Sequence, residues 1–349
     1  MSERRFVILT EGHSNPTTAK TACCVIRYCP EQAVALLDAE QQGKRSGDLL
    51  GVGDVPVIGS LADAPDANAL LIGIAPPGGK LPVPWRRLIH EAIDRGMDIV
   101  SGMHEFLNDD PEFAAAAKAS SARLVDVRNN RITEIARGEG LREDCLRIHT
   151  VGHDCSVGKM VTAYEITSGL KQRGLDAKFA ATGQTGIVVE GDGYPVDCMV
   201  ADFVSGAAER LVMDNQHHDI VVVEGQGSLV HPSYSSVTLG LLHGCQPHGM
   251  IMCYEVGRSC PHGVDHLSLP PLGHIIKLYE SMASIRRPCR VIGIAMNSRT
   301  LTSDQAEEER ERARNEFGVP VCDIFRHGAD ELVEAVLQLK DTRCCGPVS

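Results

Sequence analysis

The sequence predicts an α/β protein built from two parallel-sheet domains. Three observations carry that expectation. Short runs rich in Val, Ile and Leu recur with helix-compatible segments between them, the alternation of a parallel sheet. One such run ends in a glycine loop, and a Gly158-Lys159 pair then opens a helical pattern, the layout of a phosphate-binding loop. The 349 residues are also enough for roughly two domains, each with its own core.

In the first half the apolar runs fall at residues 6–9, 33–38, 69–74, 97–100 and 123–127, with a helical segment from Trp85 to Arg95. The run at 69–74 ends in Ala75-Pro76-Pro77-Gly78-Gly79, a loop at the carboxyl edge of the sheet, where such folds bind ligands. Glu91 to Gly96 is a helix end with a glycine cap, followed by another strand. An Ala-rich helix is expected over 112–119, and the charged segment 128–145 as the connector. The expected domains are therefore 1–140 and 141–349.

The second half opens with the apolar run that leads into Gly152. Five residues separate Gly152 from Gly158, one more than in the common phosphate loop, and Met160 stands where Ser or Thr would hold Mg²⁺. Gly152, His153, Asp154, Cys155, Ser156, Val157, Gly158, Lys159 and Met160 are thus candidates for holding a phosphorylated cofactor. Successive N–H groups and the start of a helix face the anion, and Lys159 adds a point charge. Thr162 lies two positions beyond Met160 and cannot simply be assumed to take over the role of the missing hydroxyl. The alternative is an ordinary glycine turn.

A helix from Lys159 to Arg173, closed by Gly174, and a strand from Ala177 to Ala181 come next. The strand ends in Thr182-Gly183-Gln184-Thr185-Gly186, which suits a substrate loop. Asp219 to Val223 is a buried strand that delivers Glu224 to the same sheet edge as the phosphate loop. There a carboxylate holds Mg²⁺, orients a reactant, or simply caps the next loop. Further strands fit Gly249–Tyr254 and Arg290–Met296, and helices fit 270–286, 303–316 and 328–339.

Between these elements lies a polar cluster that includes His231, Tyr234, Glu255 and Arg258. Arg258 is the natural clamp for a carboxylate, with a surface ion pair as its alternative. Cys253, Cys260, His262 and His266 do not have the spacing of a zinc module, so no metal is expected.

Composition excludes several classes. An apolar fraction of 43% with 23% charged residues fits a soluble globular chain. A net charge of −12 without a basic stripe argues against a nucleic-acid partner. No run approaches the roughly 18 apolar residues of a membrane helix, so no membrane partner is expected. The start of the chain is expected to be a strand and not a secretory leader. Thirteen scattered cysteines point to reduced thiols in a cytoplasmic protein.

Several stretches carry a resemblance. The layout of the first half resembles the CoA-binding domain of succinyl-CoA synthetase. The loop Gly152–Lys159, the stretch Val222-Val223-Glu224-Gly225 and Asn297 are similar to dethiobiotin synthetase and the cobyrinic acid amidases. The match is closer to a smaller family, long filed as a domain of unknown function, to which the D-glutamate N-acetyltransferases belong. Leu71–Gly79, Asp98–His104, the loop at 152–159 and Glu224–Ser228 all resemble it.

That resemblance implies a Rossmann-like N-terminal domain followed by a doubly wound parallel-sheet P-loop domain. It also implies transfer of an acetyl group from acetyl-CoA to the amine of an acidic amino acid, D-glutamate first among them. In that chemistry Glu224 or His231 is the base, and loop N–H groups or Lys159 hold the developing oxyanion. Arg258, Tyr234 and Gln226 meet the substrate. The enzyme is expected to be a cytoplasmic homo-oligomer that needs no metal. Two alternatives stay open: an Mg-ATP-dependent ligase or kinase of the dethiobiotin synthetase type, and a nucleotide-sensing regulatory protein.

Overall fold

The computed structural model describes residues 4–344. Residues 4–130 carry strands β1 (Phe6–Leu9), β2 (Ala33–Leu37), β3 (Val57–Ile58), β4 (Ala69–Ile72), β5 (Asp98–Ser101) and β6 (Leu124–Asp126). Helices α1 (Lys20–Tyr28), α2 (Ser46–Leu50), α3 (Arg86–Asp94) and α4 (Pro111–Ala119) connect them. The strands pair in parallel, in the order β3-β2-β1-β4-β5-β6.

The remainder carries β7 (Leu146–Gly152), α5 (Lys159–Gln172), β8 (Ala177–Ala180), α6 (Gln184–Glu190), α7 (Ala201–Asn215) and β9 (Ile220–Val223). Then follow α8 (Ser235–Cys245), β10 (Gly249–Glu255), α9 (Leu272–Ala283), β11 (Arg290–Asn297) and α10 (Ser303–Phe317). Strand β12 (Val321–Cys322) and helices α11 (Ile324–His327) and α12 (Asp330–Cys344) end the described chain. The second sheet is also parallel, in the order β12-β11-β10-β7-β9-β8. The expected fold class holds.

The chain forms two compact units. One comprises residues 4–130 with 184–198, the other 131–183 with 199–344. In the first unit α6 packs on α1, where Thr21 and Thr185 share a hydroxyl–hydroxyl bond of 3.0 Å. Arg128 pairs with Asp197 at 2.6 Å in the same unit. Helix α4 starts where it does because the Asp110 carboxylate accepts the N–H groups of Glu112 and Phe113, with Pro111 in the first position.

In the second unit β7, β9 and β10 are buried along their whole length. Such strands have both faces covered, hence the near-continuous apolar runs of β9 and β10. Two polar side chains of β7 are buried with their needs met. Arg147 donates to the carbonyls of Arg142 at 2.7 Å and Gln246 at 3.0 Å. His149 Nδ1 lies 3.1 Å from the Val223 carbonyl, and burial pushes its pKa down to about 4, so the imidazole is neutral.

Boundaries differ where tertiary pairing decides them. The run expected at 69–74 leaves its ladder after Ile72, and the helix expected over 270–286 begins only after Pro271 and ends at Ala283. The two-residue edge strands β3 and β12 had no periodic signal to reveal them.

Candidate functional site

The chain runs from β7 to the edge strand β8, back to β9, and then to β10 on the other side of β7. Loops diverge at that reversal, which is where open α/β sheets bind ligands. The loop after β7 follows Gly152, passes through left-handed Ser156 (φ 58°) and Gly158 (φ 108°), and enters the fourteen-residue helix α5 at Lys159. The whole expected loop, Gly152 to Met160, is therefore one strand–turn–helix unit.

Lys159 is buried, and its Nζ donates to the Asp154 carbonyl at 2.7 Å; burial lowers its pKa. Two other backbone atoms of the loop are pinned from outside. Tyr279 of α9 donates its hydroxyl to the Gly152 carbonyl at 2.9 Å, and Ser228 donates to the His153 carbonyl at 2.9 Å. Tyr279 was missed in the sequence, because nothing local distinguishes it from a core tyrosine.

Asp154 is the fastening point. It is fully buried; its Oδ1 accepts the Cys155 N–H, and its Oδ2 accepts Arg258 Nη1 and the His262 N–H, each at 2.7 Å. Arg258 Nη1 also donates to the Cys155 carbonyl at 2.7 Å, and its Nη2 to Glu255 at 2.5 Å. Glu255 is shared with Arg299 at 3.0 Å. Arg258, expected to clamp a substrate carboxylate, thus already grips two carboxylates of its own chain and braces the loop.

Glu224 does reach this edge, at the end of β9. Its Oε2 accepts the N–H groups of Thr182 at 2.8 Å and Gly183 at 3.2 Å, and Thr182 Oγ1 donates back to its carbonyl at 2.9 Å. Gln226 Nε2 donates to the same Thr182 hydroxyl at 3.2 Å. The stretch expected as a substrate loop is therefore divided: Thr182 and Gly183 stay with Glu224, while Gln184 starts α6.

Gly225 is glycine by necessity. A Cβ there would fall 1.8 Å from the Thr150 carbonyl oxygen, and its N–H already bonds the Thr150 hydroxyl at 3.0 Å.

His231 is buried, with Nδ1 accepting the Ser233 N–H at 3.1 Å and Nε2 3.1 Å from the His262 carbonyl. An accepting Nδ1 places the proton of the neutral ring on Nε2. Tyr234 stacks on that ring, centroids 4.6 Å apart, and is itself exposed. His153, buried beside Arg258 and Lys159, has its pKa pushed down to about 4, chiefly by burial.

Thr162 faces β10, where its hydroxyl accepts the Cys253 thiol at 3.6 Å, so it does not replace the hydroxyl missing at Met160. Among the described residues, Asp154, Cys155 and His231 do bring potential ligand atoms within 4.8 Å of one another. The guanidinium on Asp154 and the proton on His231 Nε2 set that group against a cation.

Two family models match successive parts of the chain. A Rossmann-like domain model described as the N-terminal part of DUF1611, a domain of unknown function, matches residues 39–130. The P-loop domain model of the same family matches residues 134–333, more than half of the chain. The chain belongs to the DUF1611 family.

A curated relative from Tritonibacter scottomollicae, a D-glutamate N-acetyltransferase, is 34% identical over 96% of this chain and 99% of its own length. One of the same name from a Pseudoalteromonas species is 40% identical over 76% of this chain and 80% of its own. The crystal structure of a DUF1611 protein from Anabaena variabilis matches with a TM-score of 0.90 at 35% identity, over 96% of this chain and 99% of that one. The family expected from the loop and the Glu224 stretch is the one found.

Proposed function

We propose that this chain is an N-acetyltransferase that moves the acetyl group of acetyl-CoA to the amine of an acidic amino acid, D-glutamate first among them. The names of the two curated relatives support the reaction. The observation that carries the choice of donor is the phosphate loop itself. It offers a helix start and a buried Lys159, yet has methionine where an Mg²⁺-holding hydroxyl would stand. Coenzyme A brings a pyrophosphate and a 3′-phosphate but no γ-phosphate to activate, so such a loop suits it.

Within this reading the loop N–H groups and Lys159 hold phosphate. Glu224 is the preferred base for the incoming amine, since it is a carboxylate at the sheet edge beside the loop, whereas Asp154 and Glu255 are taken up by Arg258. His231, protonated on Nε2, is the better donor than acceptor, and it positions Tyr234. Tyr234 and Gln226 remain the substrate-side candidates, whereas Arg258 serves chiefly to hold the loop. A cytoplasmic homo-oligomer that needs no metal completes the proposal; among the described residues, no helix is long and apolar enough to cross a membrane.

The second reading, an Mg-ATP-dependent ligase or kinase, draws on the long loop and Glu224, and Met160 weighs against it. Thiol release from acetyl-CoA with D-glutamate separates the two. Release that persists with a chelator supports the transferase. ADP formation only with Mg²⁺, and no thiol release, refutes it.

A further inference from the structure

The first unit holds a polar cluster that the acetyl-transfer reading does not use. Its sheet order, β3-β2-β1-β4-β5-β6, reverses between β1 and β4. Open parallel sheets of this order take nucleotides above the carboxyl ends of their strands at that reversal, and an acidic residue at the end of the second strand accepts ribose hydroxyls.

Those ends carry Thr10 after β1, Asp38 after β2 and Gly73 after β4. Thr10 Oγ1 and Ser14 Oγ share a hydrogen bond of 2.9 Å, and Ser14 Oγ donates to Asp38 Oδ2 at 2.5 Å. Asp38 is 1% exposed, and its Oδ1 has no hydrogen-bond partner among the described residues. A buried carboxylate oxygen left unmet is costly, so a residue of this kind marks a place for an outside donor.

The loop 11–17 bears on the strand end through Ser14 on Asp38 and Glu11 on the Ala39 N–H at 2.7 Å. Trp85 Nε1 donates to the Glu11 carbonyl at 3.1 Å, and the Trp85 and His13 rings meet edge-on, so these are the contacts that opening must break. Gly12, Asn15, Pro16 and Thr17 of that loop are exposed, and Gly12 has φ 71°. Gly73 is fixed, since a Cβ there would meet Ile8 Cγ2 at 2.5 Å.

We propose that this unit binds a nucleotide through the free 2′,3′-diol of its ribose, with Asp38 Oδ1 accepting a ribose hydroxyl once loop 11–17 opens. A carboxylate needs donors, and a vicinal diol supplies two side by side. The same carboxylate repels a phosphate on the ribose. The site therefore discriminates against the 3′-phosphorylated ribose of coenzyme A and is distinct in chemistry from the phosphate loop.

The test is isothermal titration of the full chain with ADP, 2′,3′-dideoxy-ADP and adenosine 3′,5′-bisphosphate, repeated on Asp38→Asn and on Lys159→Ala. The expected result is an ADP-binding component that survives Lys159→Ala. It should weaken at least tenfold in Asp38→Asn, and at least tenfold for either altered ribose. The ligand-side comparison stands by itself if Asp38→Asn fails to fold, with Ser14→Ala as a milder second variant. The proposal is overturned if ADP does not bind, if Lys159→Ala abolishes binding altogether, or if binding ignores the ribose hydroxyls.

Discussion

The pair Asp154–Arg258 can be broken one partner at a time. Replacing Arg258 by Met leaves a fully buried carboxylate with only N–H donors, whereas Glu255 keeps Arg299 as its counterion. At a charge separation of about 4 Å and an effective dielectric constant near 20, the lost attraction is about 4 kcal/mol. Breaking a buried pair from one side costs about 3–5 kcal/mol.

Asp154→Asn should cost less, about 2–3 kcal/mol, because Arg258 retains Glu255 while charge-assisted bonds are lost. The double variant should then recover about 2 kcal/mol relative to the sum, since neither charge is left buried alone. Urea unfolding of the four proteins at pH 7 measures that coupling. Titration with acetyl-CoA should show at least tenfold weaker binding in Arg258→Met, since the loop loses its brace. Additive effects, or a loss below about 1 kcal/mol in Arg258→Met, would refute the reasoning. A rise confined to the KM for the amino acid would return Arg258 to the role of substrate clamp.

Three further outcomes are expected. Gly225→Ala places a methyl 1.8 Å from the Thr150 oxygen and should cost about 2–4 kcal/mol in urea unfolding. Gly273→Ala, whose nearest neighbour would be Phe317 at 3.5 Å, should be neutral or slightly stabilising, and equal costs at the two sites would defeat the steric argument. Lys159→Ala should raise the KM for acetyl-CoA at least tenfold while leaving far-UV circular dichroism unchanged; an unaltered KM removes Lys159 from cofactor binding. The last concerns acid. His149 in the folded chain protonates only near about 4, while the unfolded chain takes up its proton near 6.5. The unfolded state therefore binds more protons between those values, so stability is present above about 6.5 and falls toward pH 4, by up to ~3 kcal/mol from this group. Unfolding curves across that window should flatten in His149→Asn, and an unchanged acid slope would count against the assignment.

What the sequence disclosed follows the range of the interactions concerned. Strands β1, β9 and β10 were visible because burial on both faces writes a nearly unbroken apolar run, and β7 because an apolar alternation leads into the glycine loop. The phosphate loop was visible because its turn needs glycines at set places and a lysine at the start of a helix. Asp154 and Arg258 were each candidates, but their mutual engagement spans 104 residues and appears only when β7 and β10 pair. His231 gave no hint of its tautomer, which is set by the Ser233 N–H and the His262 carbonyl. Asp38 looked like the last residue of a strand; its unmet oxygen is a property of the folded edge.

The excursion of residues 184–198 into the first unit bears on how the protein can be made and cut. The ribosome finishes α5 and β8 before it releases α6, so the surface of α1 that α6 covers waits through more than fifty residues of unrelated sheet. A gene fragment stopping near residue 140 would lack Val188 and Val189, which pack on the core of the first unit, and the carbonyl that meets Cys29. Dissecting this protein therefore calls for a graft of 184–198 onto the N-terminal piece, because neither unit exists as one uninterrupted span of code.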